Sequence, residues 1–320
     1  MISFKNILVF YNNGFSDILP EVMKLMNHNQ ANLKIIDVFD DLDQYIGLMP
    51  PSSSIDELKK IIVSERREEI MGHLKSMVKP DGDGIDIVIK FGNPAIEVIK
   101  EVMTFGHDIV IKAASGPQSF KDRLFGGVAV RLLRKCPCPV FILKPSPAIS
   151  FKNILVPIDP DINVDSPLVT EESEEPISRK IMDLSLYMAQ MEESTLHILH
   201  CWFLPGETLL SSARSRIAPE ELNRMAVLAE KIHLQKMNTL LSPYDLSKTS
   251  HSLIIEKGDP GKKIIEYANK NQIDLIIMGT VGRSGLSGLF IGNTAERVIE
   301  EVNCSVLTVK PSQFSSPVKQ

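Results

Sequence analysis

The chain of 320 residues is 43% hydrophobic and 23% charged, with a net charge of −5. That is the composition of an ordinary soluble globular protein, long enough at roughly 100–200 residues per domain for two domains. No apolar run reaches the ~18–20 residues of a membrane span, the first residues lack a signal peptide's long apolar region and cleavage site, and no basic stripe offers itself to nucleic acid.

A cytoplasmic protein is therefore expected, and four cysteines are too few for a disulfide scaffold. In chain order, ISFKNILV at residues 2–9 is a short first strand, and Ser54-x-x-Glu57 is a capping box that opens a long helix. Cys136-Pro-Cys138 lacks C-x-x-C spacing and has no second Cys/His pair at zinc-finger spacing, so it reads as small buried residues at a strand entrance rather than a redox or metal site. ISFKNILV then returns letter for letter at 149–156, an offset of 147, and residues 91–145 align without gaps to 257–311 at an offset of 166, with 13 of 55 positions identical. The chain is one domain written twice, 1–146 and 147–313, with a tail at 314–320. The offsets differ by 19 residues, and the stretch 159–175, with seven acids and no base, accounts for many of them.

In the second copy a strand at 153–158 is followed by Ile177, Ile181, Leu184 and Met188 at helical spacing, then a strand at 195–201 and a helix at 219–241. Strands follow at 252–256, 274–278 and 305–309, separated by helices that start near Gly261 and Gly292. Strands such as ILVPI, LIIM and VLTV are apolar throughout, as in a parallel sheet covered by helices on both faces. The fold class is α/β: two tandem doubly wound domains, each a five-stranded parallel sheet flanked by helices. Such sheets bind ligands beyond the carboxyl ends of their strands, at the switch in strand order.

One such end carries Gly279-x2-Gly282-x9-Gly292-Asn293-Thr294. Glycine lets a ligand approach the main chain closely, and a helix starting near Asn293 offers free N–H groups and the positive end of its dipole. The combination suits a phosphate, with Asn293 and Thr294 as extra donors. A tight packing turn is the competing reading. Gly285 and Gly288 align with Ser119 and Asp122 of the first copy and serve loop mobility rather than contact.

This motif, repeated along essentially the whole chain, resembles the universal stress protein domain, and the tandem order resembles the bacterial E-type. The resemblance implies that Asp159, at the end of ILVPID, fixes the nucleoside of an adenine nucleotide (ATP, ADP or AMP), with Ile158, Cys201, Met278 and Thr280 around it. Gly279, Gly282, Arg283 and Gly292 would then face the phosphates, with or without Mg²⁺, and the binding would be non-catalytic. It also implies that the last strands, 140–143 and 306–309, pair their edges as an internal pseudo-dimer, and leaves a homodimer of chains open. Asn293 departs from the family's serine or threonine, and the acidic stretch leaves the strand end that carries Asp159.

The first copy is degenerate: Asn12 stands opposite Asp159, Gly127-Val128 opposite Asn293-Thr294, and Ala113 adds a Cβ at the position of Gly279, where positive φ is expected. No pyrophosphatase loop, synthetase signature or nucleophile elbow is present, so no catalytic residue is assigned. His197 and His200, three apart on a strand, point to opposite faces and share no metal. Trp202, Phe203, Leu204, Leu209 and Leu210 make an apolar lip, which keeps a second reading open: a nucleotide-free scaffold or carrier for an apolar molecule or a protein partner.

Overall fold

The computed structural model describes residues 3–43, 54–75, 84–114, 127–145, 150–160, 176–204, 206–207, 218–280 and 291–319. It forms two compact units, one chiefly Ile2–Ile149 with Ser305–Gln320, the other chiefly Ser150–Leu286 with Ile291–Cys304. In the N-terminal unit the elements are β1 (Asn6–Phe10), α1 (Phe15–Asn29), β2 (Asn32–Phe39), α2 (Ile55–Leu74), β3 (Ile85–Phe91), α3 (Pro94–Phe105), β4 (Ile109–Ala113), α4 (Gly127–Lys135) and β5 (Val140–Leu143). The C-terminal unit holds β6 (Asn153–Pro157), α5 (Ile177–Glu192), β7 (Thr195–Trp202), α6 (Pro219–Leu241), β8 (His251–Lys257), α7 (Pro260–Lys270), β9 (Leu275–Gly279) and α8 (Asn293–Glu301). The final strand, β10 (Ser305–Val309), belongs to the N-terminal unit.

Strands in the N-terminal unit lie in the order β3-β2-β1-β4-β5-β10, and in the C-terminal unit in the order β9-β6-β7-β8. All neighbours run parallel except β10, which pairs antiparallel with β5 through Val306↔Ile142, Leu307↔Phe141 and Thr308↔Val140. Strands β4 and β10 are buried at every residue, whereas β8 at a sheet edge is buried at none.

The repeat extends to the devices that start and stop elements. Asn93 and Asp259 cap α3 and α7 by accepting from Ile96 N and Lys262 N, with a proline next in each case. Ser54 Oγ accepts from Glu57 N at 3.4 Å, the first half of the capping box. Asp108 accepts from the amides of Lys5 and Asn6 at 2.6 and 2.8 Å, and Asp274 from the amide of Asn153 at 2.9 Å, tying the start of the first strand to the fourth.

Polar links are kept in place but rewritten chemically. Lys34 of β2 faces Asp86 of β3 in register and makes ion pairs with it at 3.3 Å and with Glu101 of α3 at 3.1 Å. At the matching positions His197 faces Ser252, and its Nδ1 lies 2.9 Å from the Tyr267 hydroxyl and 3.4 Å from Ser252 Oγ. A charged triad in one unit is thus a neutral one in the other.

Burial lowers the pKa of His197 below its usual 6.5. A group whose folded pKa is depressed contributes stability above its unfolded value and loses it as pH falls through the folded one. Stability is therefore expected to drop as pH falls below about 6.5, and His197→Gln, which does not titrate, should make that drop shallower in urea midpoints taken at stepped pH. Helix α3 ends at Gly106 (φ 66), while its counterpart after α7, Gln272, is held at φ 49. A side chain there costs roughly 1–2 kcal/mol, so Gln272→Gly should raise unfolding free energy by about 0.5–1 kcal/mol after the entropy of glycine is subtracted; a loss of stability would contradict this.

Candidate functional site

In the C-terminal unit β6 lies between β7 and β9, so its neighbours leave in opposite directions and the carboxyl end of β6 opens on the switch point. Its ladder with β9 stops after Ile154↔Leu275 and Leu155↔Ile276. In the N-terminal unit the matching ladder continues through Val9↔Ile111 and Phe10↔Lys112. The cause is Pro157, which occupies the position of Phe10. The Ile158 amide donates to Leu199 O of β7 at 2.9 Å, and because alternate residues of a strand face opposite neighbours, the amide missing at Pro157 is the one that would face β9.

Where the strands part there is a cavity of about 450 Å³, within the range of about 300–1,000 Å³ typical of small-molecule sites. Ile158, Leu199, Met278, Ile181 of α5 and Ile264 of α7 give it an apolar lining, and Phe203, 59% exposed, stands at its rim. Asp159 supplies a carboxylate at the end of β6. Gly292, Asn293, Thr294 and Ala295 bring the start of α8 to the same cavity.

The two helices that begin at the cavity differ in one respect. Asp259 caps α7, accepting from Lys262 N at 2.9 Å and from Arg297 at 3.2 Å. Helix α8 begins at Gly292, which has no side chain to cap it. Its ladder starts with the Glu296 amide donating to Gly292 O at 2.9 Å, so the amides of Asn293, Thr294 and Ala295 precede it. The Gly292 amide donates to Thr280 O at 2.8 Å, which ties together the two ends of the glycine-rich segment.

Every expected site residue among those described lines the cavity: Ile158, Asp159, Cys201, Met278, Gly279, Thr280, Gly292, Asn293 and Thr294. Gly282 and Arg283 lie outside the described residues, as do the acidic stretch 161–175, Leu209 and Leu210. Burial, with the Glu256 carboxylate near it, pushes the Cys201 thiol up to about 12, so it stays protonated. The helix residues Ile181 and Ile264 and the turn residue Pro260 are additions that sequence reasoning misses. Periodicity marks the two isoleucines as core, and only the tertiary arrangement shows that this part of the core is hollow.

Two expectations are corrected. Gly279 does not need positive φ; a Cβ there would lie 3.1 Å from Ile177 Cδ1 and 3.4 Å from Ile181 Cδ1, so close packing of α5 on β9 is what selects glycine. Trp202 is not part of the lip. It is buried and stacks on His233 of α6, with ring centroids 5.5 Å apart. His200 is buried beneath the site, its Nδ1 bonded to Ile158 O at 3.0 Å and its Nε2 to His233 Nδ1 at 2.9 Å.

The N-terminal unit differs at the same places. Asn12 donates to Ala113 O at 3.2 Å. Lys112, at the position of Met278, is buried with its amine donating to Ala113 O at 2.7 Å, and burial lowers its pKa to about 8. Tyr11 replaces Ile158 and packs on Phe15 with ring centroids 4.9 Å apart.

Duplicated doubly wound domains, one keeping a crevice beside an uncapped helix start, define the class of this protein. It belongs to the universal stress protein family, whose profile matches residues 4–144 and 150–310. The chain is 27% identical to Universal stress protein E of Salmonella typhi over all of this chain and 98% of the relative, and 25% identical to the Haemophilus influenzae homolog over 98% of this chain and 99% of that one. A solved universal stress protein from Archaeoglobus fulgidus shares its fold, with a TM-score of 0.64 at 18% identity, covering 95% of this chain and 98% of the other. Among the described residues no helix is long and apolar enough to cross a membrane.

Because the Gly279 position is closed by α5, Gly279→Val should cost about 1–3 kcal/mol by overpacking. Gly72 is exposed in the last turn of α2, where an added Cβ would meet nothing within 4 Å, so Gly72→Ala should stabilise by up to about 0.5–1 kcal/mol. Denaturant unfolding of the two variants tests both signs.

Proposed function

We propose that the C-terminal unit binds an adenine nucleotide without turning it over, and that this is the protein's contribution to a stress response in the cytoplasm. The observation that carries the reading is the uncapped start of α8, which shares one apolar cavity with the Asp159 carboxylate. A helix N-terminus without a side-chain cap favours an anion, while α7 next to it is already served by Asp259. The residues fit a nucleotide in two parts. The apolar lining takes the flat base, Asp159 accepts from nucleoside hydroxyl or amino groups, and the amides at 293–295 with the Asn293 and Thr294 side chains take the phosphates. Mg²⁺ would arrive with the phosphates, since among the described residues no group of three or more His, Cys, Asp or Glu is placed to hold a metal. Cys201, the thiol in the cavity lining, is held protonated by burial and is therefore a poor nucleophile.

The apolar lining and exposed Phe203 also favour a second reading, a carrier for an apolar molecule. Mass spectrometry of ligands released from the purified protein, followed by calorimetry with ATP and Mg²⁺, separates the two. Gly292→Val should weaken ATP binding by at least about 100-fold, or roughly 2.7 kcal/mol, with the thermal melt retained. Asp159→Ala should cost about 10-fold or more as a charge-assisted hydrogen bond is lost. Unchanged affinity in a folded Gly292→Val variant, or displacement of a fluorescent fatty acid without any ATP binding, would favour the carrier.

A further inference from the structure

The Cys136-Pro-Cys138 turn joins α4 to β5 in the N-terminal unit. A bend at Pro137 and Cys138 brings the two sulfurs to 3.5 Å, in thiol–thiol contact. Cys136 is buried and Cys138 half-buried, so Cys138 is the residue of the pair that lies closer to solvent. The second repeat supplies an internal comparison. It keeps Cys304 at the position of Cys138 but has Val302 at that of Cys136, so packing at this turn is satisfied by one cysteine and an aliphatic residue. The pair is an addition confined to the first repeat. Close to it lies Lys310, whose buried amine donates to Leu133 O of α4 at 2.8 Å; burial lowers its pKa to about 8, and Cys136 opposes that shift only in part.

We infer that Cys136 and Cys138 form a reversible intramolecular disulfide by exchange with low-molecular-weight disulfides, making this turn a redox modification site. The Cys138 thiolate attacks one sulfur of the reagent R–S–S–R, whose S–S bond breaks and releases RS⁻. Cys136, giving its proton to solvent, then attacks the Cys138 sulfur of the mixed disulfide as its thiolate and releases the second RS⁻. Two electrons pass from the protein thiols to the reagent, and both leaving thiolates take up the protons that the cysteines give to solvent. The hydrogen bond shared with Cys136, and then burial, raise the Cys138 pKa well above its ordinary value, so little thiolate is present at neutral pH and exchange should speed up about tenfold per pH unit between 7 and 8. Closing a bridge across a single intervening residue makes a small ring, the kind of bridge that is readily reduced again.

The test treats the full chain with glutathione disulfide, unfolds it in denaturant, blocks remaining thiols with iodoacetamide and reads intact and peptide masses. The expected product has lost the mass of two hydrogens, with Cys136 and Cys138 protected in one peptide, Cys201 and Cys304 alkylated, and the protection reversed by dithiothreitol. Cys136→Val, which installs the second repeat's own residue and so keeps the fold, should stop at a glutathione adduct on Cys138. Alkylation of Cys136 and Cys138 at equilibrium with a large excess of glutathione disulfide would overturn the inference. So would a bridge between chains, or closure of the bridge at the same rate when Cys138 is replaced by serine and another thiol takes its place.

Discussion

One missing hydrogen-bond donor shapes the site. Pro157 ends the β6–β9 ladder two residues before the equivalent β1–β4 ladder ends in the N-terminal unit, and the strands separate there. Beside this unpaired end Ile181 and Ile264 wall a cavity, and Asp159 and the start of α8 share its ligand-sized space. Phe10, in the matching place, keeps its amide and its partner, and the N-terminal unit carries Tyr11 and Lys112 where the other unit carries Ile158 and Met278. The loss of motif residues in the first repeat is thus accompanied by a change in backbone pairing.

The two repeats also show how contacts outlast the residues that make them. Strand register aligns Asp37 with His200, and the buried pairs Ile70/Leu74 and Met237/Leu241 align Arg66 with His233. Asp37 and Arg66 form an ion pair at 3.1 Å, while His200 and His233 are hydrogen-bonded at 2.9 Å. Arg66 lies 5.0 Å from the Phe39 ring, and His233 stacks on Trp202, the residue in the place of Phe39. Both members of each pair have changed together. A buried charge left with a neutral partner would be costly, whereas replacing both at once preserves a satisfied link between the second strand and the second long helix.

Much of this is legible in the sequence, because the features concerned are local. Unbroken apolar runs mark the parallel strands, identical segments reveal the duplication, and Asp159, Gly279 and Gly292 mark strand ends and a helix start. What is not legible depends on distant neighbours. The reason for glycine at 279 is a pair of isoleucine methyl groups on α5, about a hundred residues earlier in the chain. Trp202 reads as a surface residue beside exposed Phe203, yet its ring is covered by His233 from a helix whose own sequence gives no hint of that contact.

The antiparallel pairing of β10 with β5 has a consequence for biosynthesis. The N-terminal unit is encoded first, yet its sheet receives its last strand only from residues 305–309. Until residues 305–309 have left the ribosome, β5 is an apolar edge with unpaired backbone groups, the kind of surface on which nascent chains associate. The repeat that is made first is therefore completed by a strand from the repeat that is made second.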